Sequence, residues 1–242
     1  EMTSSLVGSE MCIRDRSKDI EATCRCLKAL GVKIESVASS FAGRTALKIT
    51  GTGKIFANSS AVDCGESGST LRFFIPLGAM LGETFTFLGH GKLVSRPLQV
   101  YYDIFTEQAI DYTNEAGQLP LTVNGHLQAG TYRLPGNVSS QFISGLLFAL
   151  PLLEGDSIIE LTSSLESSSY VDMTLSCLAK YGIKIINENH QRYFIPGSQR
   201  YQAHNSNIEG DWSQTAFWAV GGALGKGVIC EGVDFDLSLI HI

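Results

Sequence analysis

This chain has no excess of basic residues, no long unbroken apolar run and no regular cysteine spacing. The net charge is −6, which argues against nucleic acid or an anionic membrane surface as its main partner. The longest apolar stretch, near residues 142–153, is interrupted and falls short of the roughly 20 residues a spanning helix needs. Six cysteines (Cys12, Cys24, Cys26, Cys64, Cys177, Cys230) are too scattered for a disulfide framework or a zinc site, and Cys24 and Cys26 fall on a predicted helix. Five histidines (His90, His126, His190, His204, His241) also lack ligand spacing. No metal is therefore expected, and the cysteine usage points to a reducing, cytoplasmic setting. Charged residues make up 17% and hydrophobic residues 44%, a composition able to bury a real core. A length of 242 residues allows one large domain, or one domain with part of another.

Three clusters of small hydrogen-bond donors precede apolar helical runs: Gly68-Ser69-Thr70, Ser139-Ser140-Gln141 and Trp212-Ser213-Gln214-Thr215. Their middle serines are 71 and 73 residues apart. A helix N-terminus carries unpaired N–H groups and the positive end of the helix dipole, so hydroxyls and amides placed there suit phosphate or carboxylate. Taken singly, each cluster reads as an ordinary helix cap, and it is the recurrence that brings the two readings level. Recurrence in register makes anion binding a serious alternative.

The repeat extends beyond the serines. Ala29-Leu30-Gly31-Val32-Lys33-Ile34 and Lys180-Tyr181-Gly182-Ile183-Lys184-Ile185 each close a helix and open a strand, with Gln108-Ala109-Ile110-Asp111-Tyr112 a weaker middle copy. Second strands end near Gly51, Gly125 and Gly197. The unit reads as strand, buried helix, strand, surface helix and two-strand hairpin, an α/β (α+β) class of repeated βαβαββ units. Runs 69–81 and 139–153 are apolar on nearly every face, as in helices enclosed by protein. The other helices are striped: Ile20, Cys24, Leu27 and Leu30; Leu98, Tyr102, Phe105 and Ala109; Val171, Leu175 and Leu178.

The ends read differently. Residues 1–16 have no helix or strand period, and 4–16 resemble a translated sequencing adapter; 236–242 have the same look. The expected division is therefore 1–16 non-native, 17–200 a substrate-binding domain whose first unit is truncated, 201–235 a crossover and the start of a second domain, and 236–242 a non-native tail. The chain is expected to be a piece of a longer protein.

Five ordered motifs resemble the 5-enolpyruvylshikimate-3-phosphate (EPSP) synthase family. They are Cys64-Gly65-Glu66-Ser67-Gly68-Ser69-Thr70-Leu71-Arg72, Ser95-Arg96-Pro97-Leu98, Gly136-Asn137-Val138-Ser139-Ser140-Gln141-Phe142, Ser167-Ser168-Ser169-Tyr170-Val171-Asp172-Met173-Thr174 and Ile208-Glu209-Gly210-Asp211-Trp212-Ser213. The sister family, UDP-N-acetylglucosamine enolpyruvyl transferase, usually has a reactive cysteine before the Arg-Pro pair. Here that loop, Gly89-His90-Gly91-Lys92-Leu93-Val94-Ser95, has none. A non-catalytic α/β repeat that binds a phosphorylated metabolite is the other alternative.

The resemblance implies a two-domain fold, one domain nearly complete here and the other begun. It also implies transfer of the enolpyruvyl group of phosphoenolpyruvate to the 5-hydroxyl of shikimate 3-phosphate, the reaction of the shikimate pathway to aromatic amino acids. By that resemblance Ser139, Ser140, Gln141, Ser167 and Tyr170 bind shikimate 3-phosphate, and Gly68, Arg96 and Gln141 bind phosphoenolpyruvate. Ser167 can also be solvated loop, Tyr170 a helix cap, and Arg72 a structural tie between loop and helix. Glu66 stands where many relatives have asparagine, and its carboxylate opposes an anion unless protonated or paired with Arg72 or Arg96. The family's catalytic acid–base lysine and aspartate match nothing in this sequence, so no catalytic residue is assigned. The family implies no cofactor and a monomer when complete.

Overall fold

Strands that alternate buried and exposed residues cover one face of each sheet with side chains that helices can pack against. In the computed structural model, residues 10–13, 17–38, 45–53, 55–204, 212–225 and 227–230 are described. The chain forms two compact units, Glu1–His204 and Asn205–Ile242.

The first unit opens with β1 (Glu10–Ile13), α1 (Lys18–Ala29), β2 (Lys33–Ala38) and β3 (Thr45–Thr50). A full repeat follows: β4 (Ala61–Asp63), α2 (Gly68–Ala79), β5 (Phe85–Leu88), α3 (Gln99–Glu107), β6 (Asp111–Glu115) and β7 (Gln118–Asn124). A second is built from β8 (Thr131–Leu134), α4 (Ser140–Ala149), β9 (Ser157–Leu161), α5 (Ser168–Lys180), β10 (Ile186–Glu188) and β11 (Arg192–Ile195). The sheets run β4-β5-β7-β6 and β8-β9-β11-β10, the same order in each repeat. In both, the two strands joined by the buried helix are parallel and the other neighbours antiparallel. This is the βαβαββ unit expected from the sequence.

Alternation fixes the inner faces. Phe85 and Phe87 of β5, Leu119, Leu121 and Val123 of β7, Tyr132 and Leu134 of β8, and Tyr193 and Ile195 of β11 are all buried. Against them lie α2 and α4, which also pack on each other, with Phe73 and Phe148 edge to face at 5.3 Å. Burying a side chain of this size contributes about 1.5–3 kcal/mol, so this shared interior holds the two repeats together.

Three expectations are corrected. The buried face of α1 is Ala22, Cys26 and Ala29; of the expected stripe Leu30 is buried, while Ile20, Cys24 and Leu27 are only half-buried. Small side chains let α1 approach its neighbours closely, and a stripe of large residues misses that kind of contact. Ala109 leaves the α3 stripe, exposed at φ 54° just after the helix, whereas Leu98, Tyr102 and Phe105 are buried. Finally, Glu10–Ile13 forms β1 although no strand was expected there: it pairs antiparallel with β3, where β5 and β9 stand in the other repeats. Four residues leave no readable period, and an open strand edge pairs through backbone groups alone.

The second unit contributes α6 (Trp212–Leu224). The Ile208-Glu209-Gly210-Asp211 part of the fifth motif, the expected tail 236–242 and most of 1–16 lie outside the described residues, as do the side chains of Trp212, Ser213 and Gln214. Among the described residues, no helix is long and apolar enough to cross a membrane, and no group of His, Cys, Asp and Glu has the arrangement of a metal site.

Candidate functional site

Each parallel strand pair delivers a helix N-terminus at the carboxyl end of its first strand, where ligands of open α/β sheets commonly bind. After β4, Ser67 caps α2, its hydroxyl accepting from the Thr70 N–H at 3.4 Å. After β8, Ser139 caps α4, accepting from the Gln141 N–H at 3.3 Å. Such caps satisfy one orphan donor each and leave others for a ligand.

Arg72 is positioned by a defect in its own helix. Pro76 has no N–H, so the Arg72 carbonyl four residues earlier has no helical partner. The buried hydroxyl of Tyr101 donates to that carbonyl at 2.6 Å. Burial raises the Tyr101 pKa, opposed by the Arg72 charge, so the phenol stays a neutral donor. Gly145 of α4 faces the same carbonyl, and a Cβ there would overlap both it and the Tyr101 hydroxyl. From this anchored backbone, Arg72 Nη1 donates to Gln141 Oε1 at 2.9 Å and Nη2 to the Pro97 carbonyl at 3.4 Å. Its guanidinium carbon lies 4.6 Å from the centre of the Phe142 ring.

Arg96 meets the same place from the segment before α3. Its guanidinium lies against Gly68, where any Cβ would overlap Nη1, which explains a glycine at the head of α2. Burial pulls the Arg72 pKa below its ordinary value, Tyr101 opposes that, and the nearby Arg96 charge lowers it further. A guanidinium remains charged despite such shifts. Among the described residues neither arginine has a carboxylate partner. Two close cations without a counter-ion, beside a helix N-terminus, are poised for an anion.

The structure thus joins Arg72, Gln141 and Ser139 by hydrogen bonds and sets Arg96 against Gly68, with the Arg96 charge felt at Arg72. Arg72 is the residue that sequence reasoning left outside the site. The available signal was a lone cation on an otherwise apolar helix, which must find polar partners. Both readings of Arg72 have a basis, since it ties α2 to α4 through Gln141 and also brings charge to the site.

Ser140 follows Ser139 and is 9% exposed. Ser167 and Tyr170 join less directly. The loop before α4 and the loop before α5 are stitched by Gly136 N–H to Ser163 Oγ at 3.0 Å, Ser163 Oγ to Asn137 Oδ1 at 3.0 Å and Glu166 N–H to the Gly136 carbonyl at 3.1 Å. Ser167 is exposed, left-handed at φ 60° and ψ 48°, with its side chain making no cap bond; Tyr170 is 44% exposed. Deeper down, Ser144 of α4 and Thr174 of α5 share a 2.8 Å hydroxyl contact.

Glu66 makes no ion pair with Arg72 or Arg96, contrary to the pairing considered for it. Its exposed carboxyl lies instead against Gly91, whose φ of 56° and missing Cβ accommodate it. The neighbouring carboxylate is engaged: Asp63 accepts from the Gly65 N–H at 2.7 Å and contacts His90 Nε2 at 3.1 Å. Burial tends to raise the Asp63 pKa, but the Gly65 bond, His90 and Arg25 outweigh it and the net direction is down.

Comparison with known proteins places this geometry. Residues 2–239 match the family described as EPSP synthase (3-phosphoshikimate 1-carboxyvinyltransferase). A 3-phosphoshikimate 1-carboxyvinyltransferase of Clostridium kluyveri is 55% identical over 222 residues, covering 92% of this chain and 51% of the relative. The Clostridium novyi protein of the same name is 45% identical, with 91% and 51% covered. The chain spans about half the length of the curated relatives it matches. An EPSP synthase structure from Acinetobacter baumannii superposes with a TM-score of 0.76 at 22% identity, over 96% of this chain and 52% of the other, which shows the shared fold. With the family match running through every described element of both units, the chain belongs to the EPSP synthase (3-phosphoshikimate 1-carboxyvinyltransferase) family.

Proposed function

We propose that the protein to which this chain belongs transfers the enolpyruvyl group of phosphoenolpyruvate to the 5-hydroxyl of shikimate 3-phosphate and releases phosphate. The observation that carries this reading is the pair of guanidiniums, Arg72 bonded to Gln141 and Arg96 against Gly68, with no carboxylate partner among the described residues. Family membership supplies the reaction class.

In this reading, Gly68 and Arg96 hold phosphoenolpyruvate, whose carboxylate and phosphate need a rigid cationic fork. Ser139, Ser140, Ser167 and Tyr170 hold shikimate 3-phosphate with neutral donors. Gln141, already oriented by Arg72, contacts both substrates. The 5-hydroxyl gives up its proton as its oxygen bonds to the enol carbon and the adjacent methylene is protonated to a methyl group; a proton of that methyl group is then lost as phosphate leaves and the double bond returns. Proton transfer needs positioned acid and base groups, which we assign with the resemblance to lysine and aspartate outside residues 1–242. The residues of this chain bind, align and stabilise charge. The protein acts as a cytoplasmic monomer without metal or organic cofactor.

The test is phosphate release from shikimate 3-phosphate plus phosphoenolpyruvate. The chain completed to the length of the Clostridium kluyveri relative is expected to turn over, and the 242-residue chain alone to stay at the blank. A completed, folded protein that releases no phosphate would overturn the reading.

A further inference from the structure

The first repeat places no side chain among the proposed substrate contacts, yet one face of α1 clasps the loop that does. Arg25 Nε donates to the Asp63 carbonyl at 3.0 Å, and Arg25 Nη2 lies 3.9 Å from the Asp63 carboxylate. A Cβ on Gly65 would stand 3.1 Å from Arg25 Nη2 and 3.9 Å from the Ala22 methyl. The Cys26 and Cys64 sulfurs, both fully buried, are 3.7 Å apart. The last contact is polar and leads into the site: Thr23 Oγ1 lies 2.9 Å from Thr70 Oγ1, which lies 2.8 Å from Ser67 Oγ, itself 3.4 Å from Ser69 Oγ.

These four hydroxyls form three links and hold four donatable protons, so one hydroxyl donates to none of the others, and the order of donation decides which. Ser67 and Thr70 are each 2% exposed and depend on these partners. If Thr23 donates to Thr70, Thr70 to Ser67 and Ser67 to Ser69, the spare proton stands on Ser69, beside Gly68 and Arg96. In the opposite order it stands on Thr23, away from any anion. A bound anion favours the first order, and each bond polarises the next. Thr23 is then the head of a relay that presents Ser69 as a donor.

We propose that Thr23 is a positioning residue for phosphoenolpyruvate, acting through Thr70 and Ser67 on the donor group at Ser69. This rests on the function proposed above. It explains why a threonine stands on the close-packed face of α1, between Ala22 and Cys26.

The test uses the chain completed to the length of its Clostridium kluyveri relative, with wild type, Thr23→Val and Thr23→Ser assayed side by side. Thr23→Val keeps the shape and removes the hydroxyl, and should raise the KM for phosphoenolpyruvate by roughly fivefold, the scale of one lost hydrogen bond. The KM for shikimate 3-phosphate should move less than twofold, and Thr23→Ser should stay within twofold of wild type for both substrates. Equal changes in both KM values, no change in either, or a serine variant as impaired as the valine variant would overturn the proposal. If Thr23→Val does not fold, the comparison of Thr23→Ala with Thr23→Ser under the same criteria replaces it. An inactive wild type would instead strike the functional reading, and an active wild type with an indifferent Thr23→Val only this inference.

Discussion

The β4–β7 and β8–β11 repeats share strand order, helix placement and capping, but the helix heads they present differ in charge. The α2 repeat brings two guanidiniums, Arg72 and Arg96, to a loop of glycine and hydroxyls. The α4 repeat brings Ser139, Ser140 and Gln141, with Ser167 and Tyr170 from the adjoining helix, and no cation among those residues. One backbone device, the N-terminus of a buried helix after a parallel strand, has thus been given two chemistries. Such cations suit an anion whose charge changes during reaction, because preorganised charge need not reorganise. Neutral donors suit an anion that is held unchanged. The bond from Arg72 to Gln141 joins the two halves.

If that division is real, removing a cation should have the largest effect. In a completed protein, Arg96→Ala is expected to lower kcat/KM for phosphoenolpyruvate on the order of a hundredfold, with a far smaller change in shikimate 3-phosphate affinity. Steady-state kinetics with each substrate varied in turn checks this, and equal losses for both would make Arg96 structural.

Arg72→Met should act on both halves. It leaves Gln141 Oε1 and the Pro97 carbonyl without their donor, a loss of about 1–3 kcal/mol in stability. Urea denaturation should show a lower midpoint, and both substrates should bind less well. Unchanged stability would mean that Arg72 only supplies charge.

Replacing Ser139 by alanine removes a helix cap, at a cost of about 1 kcal/mol, and a proposed phosphate donor together. Ser140→Ala should weaken shikimate 3-phosphate binding with little change in stability, since Ser140 is the first residue of α4 and not its cap. Calorimetry and denaturation on the two single variants separate capping from binding.

The smallest effect concerns Asp63, which braces the α2 loop without touching the proposed substrates. Its folded pKa is depressed, so its contribution is present above the ordinary carboxyl pKa and fades as pH falls through the folded value. Asp63→Asn should therefore destabilise slightly near neutrality and converge with wild type in strong acid. Melting curves between neutral pH and about pH 3 would show it. A gap that widens on acidification contradicts the sign.

Much of this was legible in the sequence because repetition made weak signals additive. A serine before an apolar run says little; the same pattern at a fixed spacing, with a glycine closing each hairpin, yields the βαβαββ unit. What stayed hidden was contact between distant elements. Ala22, Cys26 and Ala29 bury because they are small, and hydrophobic periodicity weights large residues. The placing of Arg72 on Gln141 depends on Pro76 and Tyr101 meeting at the same carbonyl, a pairing of residues from two helices that no local pattern encodes. Thr23 was invisible for the same reason.

The central claim, that two like-built repeats divide two anions between cations and neutral donors, is tested most directly by binding. Shikimate 3-phosphate affinity and the phosphoenolpyruvate KM should be measured on one completed protein carrying either Arg96→Ala or Ser140→Ala. The account predicts a crossed pattern, the first variant impaired chiefly for phosphoenolpyruvate and the second chiefly for shikimate 3-phosphate. Two variants that weaken both substrates to the same degree would contradict it.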